Sequence, residues 1–277
     1  MGSGPRILNI ILGFRHSKKA LLFLGLLFYL SCDSKEFVLN NPLDPENPGY
    51  IPPTVTILSG PSEGETIHVP LVTFSWEGSE NAILFRYKLD SLWGDWSNDK
   101  TVNFDYLDEG QHFFSVQSQY ASGDTSAVQS VSFVVDAVSG PALMFFPRRH
   151  IAFVGETIQF NIVAEEVEDL AGAEFKIEFD PTMLEIGSIS QGKFFDGDIQ
   201  SIFHSNYDNQ GGVMIVLTGF LGGVDPGVAV TGDLATVKFK VLGTGTTSLG
   251  FDGSEVLRGP DNNEITISEV ISGLVTQ

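Results

Sequence analysis

Apolar and polar residues alternate along most of this chain, and the alternation is clearest over residues 170–186. There Ala173, Phe175, Ile177 and Phe179 interleave with Glu174, Lys176 and Glu178, the period of a strand with one face in a core and the other in water. Asp180-Pro181 ends the run, because proline fixes its own φ and pushes the residue before it away from helical geometry. Met183, Leu184 and Ile186 then return apolar groups inward. Similar runs recur at 54–58, 66–69, 71–76, 83–89, 101–105, 112–120 and 127–135. The pattern predicts an all-β protein with almost no helix after the N-terminus.

Seven short strands within about 80 residues suit an immunoglobulin-like sandwich over 54–137. Trp76, Tyr87, Trp93, Trp96, Phe104, Phe114 and Phe133 supply the volume of one core. The run 107–116, Leu-Asp-Glu-Gly-Gln-His-Phe-Phe-Ser-Val, resembles the turn and strand near the end of a fibronectin type III or related repeat. Phe114 stands where that family has a corner tyrosine, so the tyrosine's hydroxyl-to-backbone bond is expected to be absent. Trp93 and Trp96 have two readings, hairpin packing or, with Tyr106, a platform on which sugar rings stack. His68 and His112 have no second ligand nearby in sequence and read as histidines satisfied within the fold, and His150 and His204 are isolated.

Two stretches punctuate the chain. Residues 33–53 carry five prolines and are expected to form a semi-extended linker; Asp44, Glu46 and Asn47 within it lack the glycine and terminal glutamate of a calcium loop. Residues 137–141, Ala-Val-Ser-Gly-Pro, mark a second boundary. Ahead of both, Lys18-Lys19 precede an apolar run over 20–30 that is too short to span a bilayer comfortably and has the layout of a secretory signal. The run Phe28-Tyr29-Leu30-Ser31-Cys32 resembles a bacterial lipobox, although Tyr29 departs from the usual leucine. The resemblance implies a signal peptide over 1–32, lipidation at Cys32 and an exported protein held at a membrane.

Residues 141–277 resemble a cohesin domain, with motifs in family order. Residues 144–147 correspond to the first strand, 154–163 to the opening turn and strand, 170–186 to the middle, 192–195 to the following loop, 213–218 to the central strand, and 232–241 and 272–276 to the last strands. The resemblance implies a nine-stranded jelly-roll sandwich that grips a dockerin module with one sheet face. By position, the partner-binding residues it implies are Glu174, Tyr207, Phe220, Leu221 and Gly222. Gly172 lacks the amide side chain of cellulosomal members, and the apolar Phe220-Leu221 pair replaces an acidic loop. That pair reads either as a hydrophobic anchor for a partner helix or as a tucked hairpin tip.

Charge and motifs narrow the functional classes. The 277 residues carry a net charge of -20. Arg6, Arg15, Lys18 and Lys19 are the only charged residues of the first 32, leaving 11 basic against 35 acidic side chains, or -24, beyond them. Such a field repels phosphate backbones, so nucleic acid is excluded as a partner. Neither a Gly-x-Ser-x-Gly elbow, a phosphate-binding glycine loop nor a His-Glu-x-x-His pair is present, and Glu174 and Glu178 beside Lys176 have the look of a solvated face, so no enzyme, metal or cofactor is expected. The expectation is a surface-anchored binding or scaffold lipoprotein with two β-sandwich domains after a signal helix. Its expected partner is a dockerin-like module, with a polysaccharide ligand or a purely structural stalk as the rival readings.

Overall fold

The computed structural model describes residues 41–196, 200–221 and 228–277. The signal segment, Cys32 and Gly222 lie outside the described residues. Chain contacts divide the protein into two units, 1–51 and 52–277.

In the first unit, residues 41–50 are wound into successive turns and not drawn out as the linker composition suggested. Three Asn/Asp-Pro pairs follow one another, and each acid or amide closes its own turn. The carbonyls of Asn41, Asp44 and Asn47 accept from the amides three residues on at 2.9–3.1 Å, and their side-chain oxygens accept from Leu43, Glu46 and Gly49 at 2.8–3.0 Å. Local side-chain bonding thus overrides the extended preference of proline.

The second unit is built of strands. Its first seven are β1 (Val55–Ser59), β2 (Glu65–Ile67), β3 (Leu71–Gly78), β4 (Ala82–Leu89), β5 (Thr101–Asp105), β6 (Gly110–Tyr120) and β7 (Gln129–Val135). They form a three-stranded sheet, β1-β3-β5, and a four-stranded sheet, β2-β7-β6-β4. Alternation on β3 points Val72, Phe74 and Trp76 inward, and Phe74 stacks on Phe114 of β6 with ring centroids 3.8 Å apart. Phe114 is therefore core. The turn before β6 is tied instead by His112, whose ring bridges the Asp108 carbonyl at 2.9 Å and the Asp90 carboxylate at 2.7 Å.

Thirteen strands follow among the described residues: β8 (Ala142–Phe146), β9 (Arg149–Ile151), β10 (Thr157–Leu170), β11 (Gly172–Glu178), β12 (Leu184–Gln191), β13 (Ser201–Asp208), β14 (Val213–Phe220), β15 (Val228–Val241), β16 (Thr247–Phe251), β17 (Val256–Arg258), β18 (Glu264–Ile265), β19 (Glu269–Ile271) and β20 (Gly273–Thr276). Nine have four or more residues; β9, β17, β18 and β19 are shorter. One sheet runs β12-β15-β10-β8-β19 and the other β13-β14-β11-β16-β20-β9, with β17 and β18 beside β11. Between them lies a core whose aromatic spine is Phe145, Phe160, Phe239 and Phe179, with centroids 5.4–6.4 Å apart. A small separate cluster of Val138, Ala142, Met144 and Val163 sits where the chain enters β8.

Candidate partner-binding face

Strand β11 lies inside its sheet, and its alternation is realised as the sequence requires. Ala173, Phe175 and Ile177 are buried while Glu174 and Glu178 are exposed. Beyond Phe179 the turn is closed by Asp180, whose carboxylate accepts from the Thr182 hydroxyl at 2.7 Å and the Thr182 amide at 2.8 Å. Those bonds, the hydroxyl first, hold its carboxyl below the usual range. Leu184 and Ile186 then re-enter the core.

Register fixes what shares the outer face with Glu174. Gly172 pairs with Gly219, Glu174 with Leu217, Lys176 with Ile215 and Glu178 with Val213 on β14. On β13 the same rows continue as Ile202, His204, Asn206 and Asp208, and on β17 Arg258 stands beside Gly172 and Val256 beside Glu174. The face therefore has an apolar centre, Ile215 and Leu217, each about two-fifths exposed. Lys176 lies at its middle, 2.8 Å from Asp252 and 3.4 Å from Glu178. Where Gly172 and Gly219 meet, the face dips into a depression of about 380 Å³.

The sequence-derived site residues do not all gather here. Tyr207 pairs with Met214, which pairs with Ile177, and both are fully buried. Tyr207 thus shares the inward register and reaches solvent only at the strand end, opposite in face to Glu174. Phe220 is half-buried, its ring packed edge-on against Phe195 at 5.0 Å, so of the two readings of that pair it is tucked. Leu221 is exposed, its amide donating to the Gln200 carbonyl at 2.7 Å. Trp93 and Trp96 lie in the other sandwich, where the Arg86 guanidinium sits 4.9 Å and 4.6 Å from their ring centroids and donates to Gln117 at 2.7 Å. Arg86 occupies ring faces on which a sugar would stack.

Residues that sequence reasoning passed over are Ile202, Ile215, Leu217, Val256 and Arg258. The signal for two of them was present: β14 is apolar at successive positions over 213–217, whereas a strand with one solvated face should alternate.

Residues 151–276 match the family model of the cohesin domain. This segment takes in β10 to β20 and only the last residue of β9, while β8, hydrogen-bonded to β10 over five residue pairs, precedes it. Solved structures similar to the chain include a non-cellulosomal cohesin from Archaeoglobus fulgidus, 19% identical over 48% of this chain and 88% of its own, with a TM-score of 0.41. A type II cohesin domain from the cellulosome of Acetivibrio cellulolyticus is 19% identical over 48% and 92%, TM-score 0.42. A type I cohesin–dockerin complex from Clostridium thermocellum is 18% identical over 49% and 96%, TM-score 0.43. No curated protein sequence matches the chain. Among the described residues no group of three or more His, Cys, Asp or Glu side chains could hold a metal ion, and no helix is long and apolar enough to cross a membrane.

Proposed function

We propose that this protein is a receptor or scaffold whose cohesin-matching segment binds a dockerin-type module through the outer face of β13, β14, β11 and β17. The observation that carries this reading is the solvent-facing Ile215–Leu217 row, bordered by Glu174 and Lys176, on the segment that matches the cohesin domain. An exposed apolar strip edged by charged and polar side chains is the composition of a protein interface: apolar contacts supply affinity and the polar rim sets orientation. The reading needs no chemistry at the site, only shape and charge.

Calorimetric titration of the full chain with a panel of recombinant dockerin modules, in calcium and in chelator, tests it. Binding by at least one module, lost in Leu217→Asp, is the expected result. A panel in which none binds overturns the reading.

A polysaccharide ligand on Trp93 and Trp96 is the less favoured alternative, because Arg86 already occupies their faces. The remainder of the reading concerns placement. Export under the signal segment and lipidation at Cys32 would hold the receptor at a membrane, with the 54–137 sandwich, of fibronectin type III or immunoglobulin-like kind, as a spacer and polysaccharide breakdown or surface assembly as the setting. Cys32→Ala is expected to release the protein to the soluble fraction; retention in the membrane fraction overturns the anchor.

A further inference from the structure

Nothing in the fold requires glycine at position 172. Its φ is not left-handed, and a Cβ there would meet only the Thr218 carbonyl oxygen, at an ordinary 3.7 Å. Gly219, its partner across the ladder, is different. A Cβ on Gly219 would stand 2.7 Å from the Ala171 carbonyl oxygen and 2.9 Å from the Gly172 Cα, so close backbone approach accounts for that glycine. A glycine inside a strand weakens it and packs nothing; where the backbone does not need it, it marks a place that another group approaches.

The two glycines lie in the depression of about 380 Å³ on the outer face. Ile202, Leu217, Val256 and Pro260 are its apolar lining, Thr218 and Asn262 add polar side chains, and its charged lining residues are Glu174 and Arg258. Arg258 donates to the Asn262 carbonyl at 3.0 Å. Lys176, the cation nearest along β11, is taken by Asp252 and Glu178, so Glu174 forms no ion pair among the described residues.

We infer that this depression is a socket for one bulky apolar side chain, carried on a partner protein that presents a lysine or arginine beside it. The inference deepens the partner-binding reading of the same face and rests on it. Apolar walls over a bare backbone floor strip water from an inserted side chain, the setting in which a single anchor carries much of a binding energy. Glu174 has no ion pair among the described residues and Arg258, the other charged group of the lining, is bonded to a neutral carbonyl. The net charge of -20, which attracts basic partners and repels acidic ones, favours a cation next to that anchor. Gly172 keeps the socket open: a side chain there would reduce it from below, and its Cβ would meet the strand's neighbours only at ordinary contact distance.

Two arms test this on the full chain. In the first, p-cresol and isobutanol at millimolar concentration stand in for side chains, and amide resonances are followed by NMR. Shifts at Gly172, Gly219 and Ile202 that vanish in Gly172→Leu are expected; no shifts, or shifts that persist in the variant, overturn the socket. Shifts at these amides with cello- or xylo-oligosaccharides but not with p-cresol make the occupant a glycan and overturn it equally. In the second arm, a dockerin module that binds the wild type is titrated into the variants. Gly172→Leu is expected to weaken binding at least about thirty-fold, and Glu174→Gln to weaken it less and flatten its salt dependence; undiminished binding to Gly172→Leu overturns the socket. If Gly172→Leu does not fold, Gly172→Ala serves, with a smaller loss. A wild type that takes the probes but no dockerin leaves the socket standing and removes the dockerin reading.

Discussion

Arg148 donates through Nη2 to Glu109 at the seam between the two sandwiches, with 5% and 14% of the two side chains exposed. The contact is one of several from the end of β5 and the turn that follows it. The Arg148 amide donates to Asp108 at 2.6 Å, Arg149 reaches Asp105 at 2.6 Å, and Glu109 also accepts from the Ala137 amide at 2.9 Å. One acidic turn thus holds both the strand entry and the connecting peptide.

Breaking that pair is expected to be costly because it leaves a nearly buried charge alone. Arg148→Ala should lose about 3–5 kcal/mol, and Arg148→Met with Glu109→Leu considerably less, since the pair itself repays little beyond its own desolvation. Urea unfolding followed by tryptophan fluorescence measures this, all three tryptophans lying between residues 76 and 96.

The same seam makes stability pH-dependent. Burial raises the carboxyl of Asp108 above its ordinary value, outweighing the bond from the Arg148 amide, and burial likewise raises Glu165. A carboxyl whose folded pKa exceeds its unfolded one favours the protonated folded state, so its ionisation opposes folding above the folded pKa. The opposition is relieved as pH falls toward the unfolded value of about 4. These two groups should therefore add stability between neutrality and mild acid, and Asp108→Asn should diminish that gain in thermal melts recorded across the range.

Asp252 behaves in the opposite sense. The hydrogen bond from Lys176, and then that from Ser254, hold its carboxyl at about 2. Its contribution is fully present above the unfolded value near 4 and is lost as pH falls through 2. Asp252→Asn is expected to melt lower at neutral pH and to lack this component of the acid-induced decline in melting temperature.

The paired glycines of the outer face should respond differently to the same methyl group. Gly219→Ala forces backbone apart and should cost about 1–3 kcal/mol, whereas Gly172→Ala should be neutral or gain roughly 0.5–1 kcal/mol. Melting temperatures of the two variants distinguish them.

Removing the guanidinium between two indoles is expected to loosen both. Arg86→Ala should forfeit about 0.5–1 kcal/mol for each cation–π contact and shift tryptophan emission to the red as Trp93 and Trp96 gain water.

Much of this molecule follows from local pattern. The seven runs read over 54–135 correspond to β1–β7, and the alternation around Phe175 with its Asp180-Pro181 stop is β11 and its turn, because a period of two and a fixed φ act within a few residues. Facing and pairing are not local. A single step of register sends Tyr207 to the side of the sheet opposite Glu174, Arg86 meets Trp93 and Trp96 only once the chain has folded back on β4, and His112 ties the turn at Asp108 while Phe114, two residues on, fills the core. Above all, Gly172 in isolation is a missing side chain. Only the ladder that sets it against Gly219, 47 residues away and beside Arg258, turns that absence into a depression, because a cavity belongs to the surfaces that enclose it and those come from strands distant in sequence.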